Sequence, residues 1–138
     1  MKTMKFKNRK VKGFTLAELM VVLCIIGILV LMMLPILMPL ISKTKAMEAQ
    51  LQLKHLMLLE KSYFFTHSKY TDNLSDLDFE QAKLVTQDGR ANYKIEVVEA
   101  SNKTFKALAT SVTDFDQDGQ FNVWEVDNTE NLKEVTKD

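Results

Sequence analysis

A long uncharged apolar stretch dominates the first third of the chain. Residues 19–41 are 23 consecutive positions without a charged side chain, rich in Leu, Ile, Val and Met. A helix rises about 1.5 Å per residue, so this stretch spans a hydrocarbon layer of about 30 Å with some tilt. A cleaved secretory signal has a shorter apolar segment, followed by a small-residue cleavage site. The pattern therefore predicts a membrane-spanning helix over residues 14–41.

Two prolines interrupt this stretch. Pro35 and Pro39 each lack a backbone donor and crowd the carbonyl four residues earlier, so we expect a helix kink at these positions. Inside a membrane, such interruptions persist when neighbouring helices or waters satisfy the freed carbonyls. The prolines thus favour a helix that packs against other helices.

Beyond residue 42 the apolar positions follow the helical period and then the strand period. Apolar side chains at three- and four-residue steps between Ala49 and Phe64 predict that the helix continues to about His67. Alternation at 93–97, followed by segments 104–112 and 121–126, predicts three strands. We expect an α+β fold, in which an antiparallel meander covers the C-terminal half of the helix within a globular domain of residues 42–138.

Charge is distributed unevenly along the chain. Six of the 18 basic residues lie within the first 12 positions, before any acidic residue. By the positive-inside tendency, this places the N-terminus in the cytoplasm and the C-terminus outside. The rest of the chain, residues 14–138, carries 12 basic and 18 acidic residues, a net charge of −6. An acidic chain of this kind gives no support for nucleic-acid binding.

The segment that opens the apolar stretch carries a specific motif. Residues 12–19 read Lys-Gly-Phe-Thr-Leu-Ala-Glu-Leu, which resembles the processing site of type IV pilins and of type II secretion pseudopilins. The resemblance implies that a prepilin peptidase removes a basic leader, residues 1–13, by cleavage between Gly13 and Phe14, and that Phe14 becomes N-methylated. It also places Pro35 where the family commonly carries a helix-loosening proline.

The same resemblance implies partners and a location. The partners are the prepilin peptidase, copies of this chain, other pilins or pseudopilins, and an inner-membrane assembly platform. The location is a single pass through the inner (cytoplasmic) membrane with the C-terminus outside, followed by the periplasm or the cell surface after assembly.

Glu18 is an acid among apolar side chains near the start of the mature helix. A carboxylate inside a membrane costs about 2.5–3.5 kcal/mol on insertion scales, so it needs compensation. The amine that cleavage creates on Phe14 of a neighbouring subunit would attract Glu18 by about 4 kcal/mol at about 4 Å and an effective dielectric near 20. We therefore expect Glu18 and Phe14 to direct assembly. The alternative is that Glu18 reaches the lipid headgroups.

An acidic segment near the C-terminus has the spacing of a calcium loop. Residues 114–125 place oxygen-bearing side chains at positions 1, 3, 5, 7, 9 and 12 and glycine at position 6. The candidate calcium ligands are Asp114, Asp116, Asp118, Gln120, Asn122 and Glu125, with Asp127 as a substitute for Glu125. The flanking segments have strand character, so no EF-hand domain is predicted. The alternative is an Asp118-Gly119 hairpin turn with solvated carboxylates.

These features favour a structural protein over an enzyme. The candidate acids lie in one loop, without a nucleophile beside a base or a phosphate-binding glycine run. The leading interpretation is a subunit of a type IV pilus-like filament. The alternative is a pseudopilin that builds a periplasmic pseudopilus for protein export, which the calcium-like loop favours slightly. A solitary membrane-anchored module is a third class, and Glu18 argues against it.

Overall fold

The computed structural model of the protein describes residues 13–137. One long helix, α1 (Leu16–His67), is followed by two short 3₁₀ helices, Leu74–Leu77 and Val85–Gln87, and by four strands. The chain divides into two compact units, one ending at Ile36 and the other beginning at Leu37. Of the predicted leader, only Gly13 lies within the described residues.

In the first unit, α1 is apolar on every side. All residues from Gly13 to Ile36 are exposed, and α1 is long and apolar enough to cross a membrane. A helix that is hydrophobic all round requires a membrane or a protein environment, because water does not solvate such a surface favourably. The predicted long apolar helix is confirmed. It remains helical through Pro35 and Pro39, and the kink at these residues stays a prediction.

In the second unit, α1 buries a single face. Ala46, Ala49, Leu53, Leu56 and Glu60 are buried at steps of three and four residues, as the helical period requires. The helix ends at His67, as predicted. The next residue, Ser68, adopts a left-handed conformation with φ of 57°, and its N–H donates to the Phe64 carbonyl at 2.8 Å, which is a common way to end a helix.

The four strands form one antiparallel sheet in chain order. They are β1 (Tyr93–Ala100), β2 (Phe105–Ser111), β3 (Val123–Asp127) and β4 (Leu132–Thr136). The α+β arrangement and the meander are confirmed, whereas the expectation of three strands is wrong. The sequence does not predict the fourth strand, because β4 is a short edge strand whose two central charged residues, Lys133 and Glu134, interrupt any apolar alternation.

The buried core cluster contains both small and large side chains from α1 and the sheet. Ala49 of α1 and Ala107 and Ala109 of β2 are fully buried in one core cluster. Tyr93 and Phe105 are the largest buried side chains of that cluster. The small alanines and the two aromatic rings fill the core together. The globular part therefore has a packed core on the C-terminal half of α1.

Candidate functional site

A capping box closes the N-terminal end of α1. The Thr15 N–H and hydroxyl both donate to Glu18 Oε2, at 2.9 and 2.8 Å, and the Glu18 N–H donates to the Thr15 hydroxyl at 3.3 Å. This reciprocal pairing satisfies two backbone donors that the first turn of a helix leaves free. It also fixes the direction of the Glu18 side chain. The Thr-x-x-Glu spacing of Thr15 and Glu18 is a sequence signal for this cap.

Glu18 is an acid on an otherwise apolar surface. Phe14, Ala17, Glu18, Val21 and Val22 line one open groove of about 360 Å³ along the helix. Within residues 13–137, no lysine, arginine or histidine forms an ion pair with Glu18. The structure thus places Phe14 and Glu18 on one surface, and the carboxylate has no cationic partner among residues 13–137.

Comparison with known proteins gives two matches, and the first of them lies at this end of the chain. Residues 8–34 match the family described as the prokaryotic N-terminal methylation motif. The type IV major pilin protein PilA of Myxococcus xanthus is 37% identical over 79 residues. This chain is therefore similar, over residues 8–34, to proteins that carry that motif. Its prepilin-type motif contains Gly13, Phe14 and Glu18, the residues to which the sequence assigned processing and assembly.

The alignment with that relative is partial. It covers 57% of this chain and 36% of the Myxococcus protein, so it spans about a third of the relative's length. The match with a known position, residues 8–34, contains the methylation motif and the first part of α1.

The acidic loop gathers three of the seven candidate calcium ligands. Carboxylate oxygens of Asp114, Asp116 and Asp118 all lie within 4.8 Å of one another. The Asp114 carboxylate accepts hydrogen bonds from the backbone N–H groups of Gln117, at 2.6 Å, and Gly119, at 2.8 Å. The loop therefore has an internal hydrogen-bonded framework, and its three carboxylates are close enough to share one cation.

Asn122 and Glu125 make other contacts. Asn122 is buried, accepts a hydrogen bond from the Tyr93 hydroxyl at 2.8 Å and donates to Glu134. Glu125 is 3.0 Å from the ammonium of Lys133 and 3.7 Å from that of Lys106.

Asp127 and Gln120 are the two remaining candidate calcium ligands. The Asp127 carboxylate accepts hydrogen bonds from the Thr129 hydroxyl and N–H, which lower the pKa of Asp127. The Gln120 N–H donates to the Asp118 carboxylate at 2.7 Å. A calcium ion fits the three aspartates, whereas the complete EF-hand set is not assembled.

A second acid, Glu60, is fully buried within the globular part. Its Oε2 accepts a hydrogen bond from the Thr71 N–H at 3.2 Å, and its Oε1 has no partner among the described residues. Burial raises the pKa of Glu60 to about 7, against the Thr71 hydrogen bond and with a smaller contribution from the charge of Asp72. The sequence placed Glu60 on the apolar face of α1 without assigning it a role, because nothing in its spacing distinguishes it from the neighbouring helix positions.

Proposed function

We propose that the chain is a structural subunit of a type IV pilus-like filament. In this proposal a prepilin peptidase removes residues 1–13, Phe14 becomes N-methylated, and α1 leaves the inner membrane to enter a bundle with other copies. The observation that carries the proposal is the first half of α1, whose surface is exposed and apolar apart from the acid Glu18, which has no ion-pair partner among residues 13–137. The matches to the methylation motif and to a major pilin support it.

The geometry of Glu18 suggests how copies recognise each other. Both hydrogen bonds from Thr15 end on Oε2, so Oε1 is available to a further donor. Cleavage after Gly13 would create an amine on Phe14 at the same end of the helix. Pairing that amine with Glu18 of a neighbour offsets the cost of holding a carboxylate in an apolar environment. A single copy lacks this pairing, and a stack of copies gains it at every step.

Substitution of Glu18 by Gln tests the charge without disturbing the cap. Gln at this position of a capping box still accepts from the Thr15 N–H, so Glu18→Gln keeps α1 capped and removes the negative charge. Thr15→Ala is the matched control, because it removes the hydroxyl hydrogen bonds and retains the carboxylate. We expect filaments to be lost in Glu18→Gln and retained in Thr15→Ala, as seen by electron microscopy of material sheared from cells.

Two further results would count against the proposal. Equal loss of filaments in both variants would assign Glu18 a purely helix-capping role. Intact-mass spectrometry of the mature protein is expected to show a chain that begins with methylated Phe14. A protein that retained residues 1–13 would have no amine at Phe14, and the pairing would be impossible.

The second candidate is a pseudopilin of a type II secretion system. The three converging carboxylates of the acidic loop favour it, because calcium loops of related pattern occur near the C-termini of some pseudopilins. A pseudopilin would build a short periplasmic structure and stay with the cell envelope. Long sheared fibres that contain this protein support the filament subunit, whereas its complete retention in the envelope supports the pseudopilin.

A further inference from the structure

An open cleft lies between the C-terminal half of α1 and the edge of the sheet. Its volume is about 620 Å³, and all of its lining belongs to the unit that begins at Leu37. The apolar part of the lining comes from Pro39, Ala46, Met47 and Trp124. Polar and charged side chains, including Lys43 and Lys137, complete the lining. The cleft thus combines an apolar surface with the ammonium groups of two lysines.

The helical side of the cleft comes directly after the membrane-length apolar stretch. Pro39 belongs to the uncharged residues 19–41, and the next charged residue along the chain is Lys43. Side chains at this point of a membrane helix lie at the level of the lipid headgroups, where tryptophan is also enriched. Trp124 is the only tryptophan of the chain, and β3 carries it to this cleft.

The charges of the cleft favour an anion. Two lysines, Lys43 and Lys137, and one acid, Glu134, line it. Glu134 accepts a hydrogen bond from the Asn122 side-chain amide at 2.7 Å, which engages its carboxylate. Within residues 13–137, the ammonium groups of Lys43 and Lys137 take part in no ion pair or hydrogen bond. Two free ammonium groups beside an apolar surface match a phosphate ester attached to hydrocarbon.

We propose that this cleft binds the headgroup of an anionic phospholipid while the subunit resides in the membrane. The lysines contact the phosphate, and the glycerol backbone and first methylene groups pack on Met47 and Trp124. The inference rests on the membrane anchoring in the proposed function. A bound lipid would hold the globular domain at the membrane surface before assembly, and extraction of the subunit would release it.

The test uses the full chain in lipid nanodiscs made of phosphatidylcholine, with or without phosphatidylglycerol. The double variant Lys43→Ala with Lys137→Ala removes the two cations of the cleft. The control variant Lys54→Ala with Lys103→Ala makes the same change in net charge at exposed lysines elsewhere. The measurements are the lipids retained in native mass spectrometry and the quenching of Trp124 fluorescence by brominated phosphatidylglycerol.

We expect the original chain and the control variant to retain phosphatidylglycerol in preference to phosphatidylcholine. The cleft variant should lose this preference about 30-fold, the scale of two lysines at an anionic lipid surface, and should lose the Trp124 quenching. Equal lipid retention by the two double variants would overturn the proposal. Binding of soluble glycerol phosphate with the same affinity would also overturn it, in favour of a soluble phosphate-ester site. Failure of the original chain to float with vesicles would instead overturn the membrane anchoring itself.

Discussion

Replacement of the buried Glu60 by Gln should abolish a specific pH dependence of stability. The folded chain holds the pKa of Glu60 at about 7, against 4.5 for a free carboxyl group. This difference corresponds to about 3 kcal/mol between the protonated and ionised forms, because each pKa unit is worth about 1.4 kcal/mol. Because folding raises this pKa, protonation of Glu60 stabilises the folded state. This stabilisation is fully present below pH 4.5. This stabilisation decreases progressively as the pH rises to about 7. Above that pH, Glu60 causes no further change in the free energy of unfolding.

The structure explains why Gln is the informative replacement. Its amide oxygen still accepts from the Thr71 N–H, while its NH₂ group takes the place of Oε1, which has no partner among the described residues. The buried NH₂ donors cost about 1–3 kcal/mol at every pH. The absolute stability of the variant is therefore less informative than its slope with pH.

Urea unfolding from pH 5 to pH 8 measures that slope, with Trp124 fluorescence as the probe. We expect the free energy of unfolding of the original chain to fall by about 2–3 kcal/mol over this range and that of Glu60→Gln to change much less. Glu80→Gln is the control, because Glu80 is exposed. A flat profile for the original chain, or the same decline in Glu60→Gln, would refute the reasoning. Asp127 acts in the opposite direction and at lower pH: its lowered pKa favours the folded state above about pH 4.

Two other predictions concern the loops. Gly89→Ala should lower the free energy of unfolding by about 1–3 kcal/mol, since a Cβ at this position overlaps the backbone carbonyl of Lys83; thermal melts check this against Gly27→Ala, whose Cβ meets no atom within 4 Å. Millimolar calcium should raise the Tm of the original chain more than that of Asp118→Asn, which keeps an acceptor for the Gln120 N–H and removes one charge from the loop. Identical melting curves with calcium and with a chelator would remove the calcium hypothesis.

The helix and most of the sheet were predictable because their signals are local. Each of three patterns reflects one continuous apolar surface. They are the uncharged stretch, the helical period to Phe64 and the alternation in β1. The end of α1 at His67 was predictable from the polar turn that follows it. β4 carries no comparable signal, since its stability comes from pairing with β3 rather than from its own apolar pattern.

The acidic loop shows what spacing alone leaves undetermined. Oxygen-bearing residues at the right intervals predicted seven ligands, and the structure brings together the three that lie on one turn. Asn122 and Glu125 instead contact residues of the sheet. Tyr93 donates a hydrogen bond to Asn122, and lysines of the two neighbouring strands form ion pairs with Glu125. These partners are distant in sequence, so no local pattern reports them. The buried state of Glu60 depends in the same way on packing against distant residues.

The outer edge of β1 has a side chain in place of a neighbouring strand. The Gln81 carboxamide accepts from the Ile95 N–H at 2.8 Å and donates to the Tyr93 carbonyl at 3.2 Å, so it imitates one step of strand pairing. Subunits in the proposed filament stand side by side at very high local concentration, and open strand edges under those conditions template irreversible sheet growth. Gln81 therefore closes this step of the β1 edge to pairing with a strand of a neighbouring subunit.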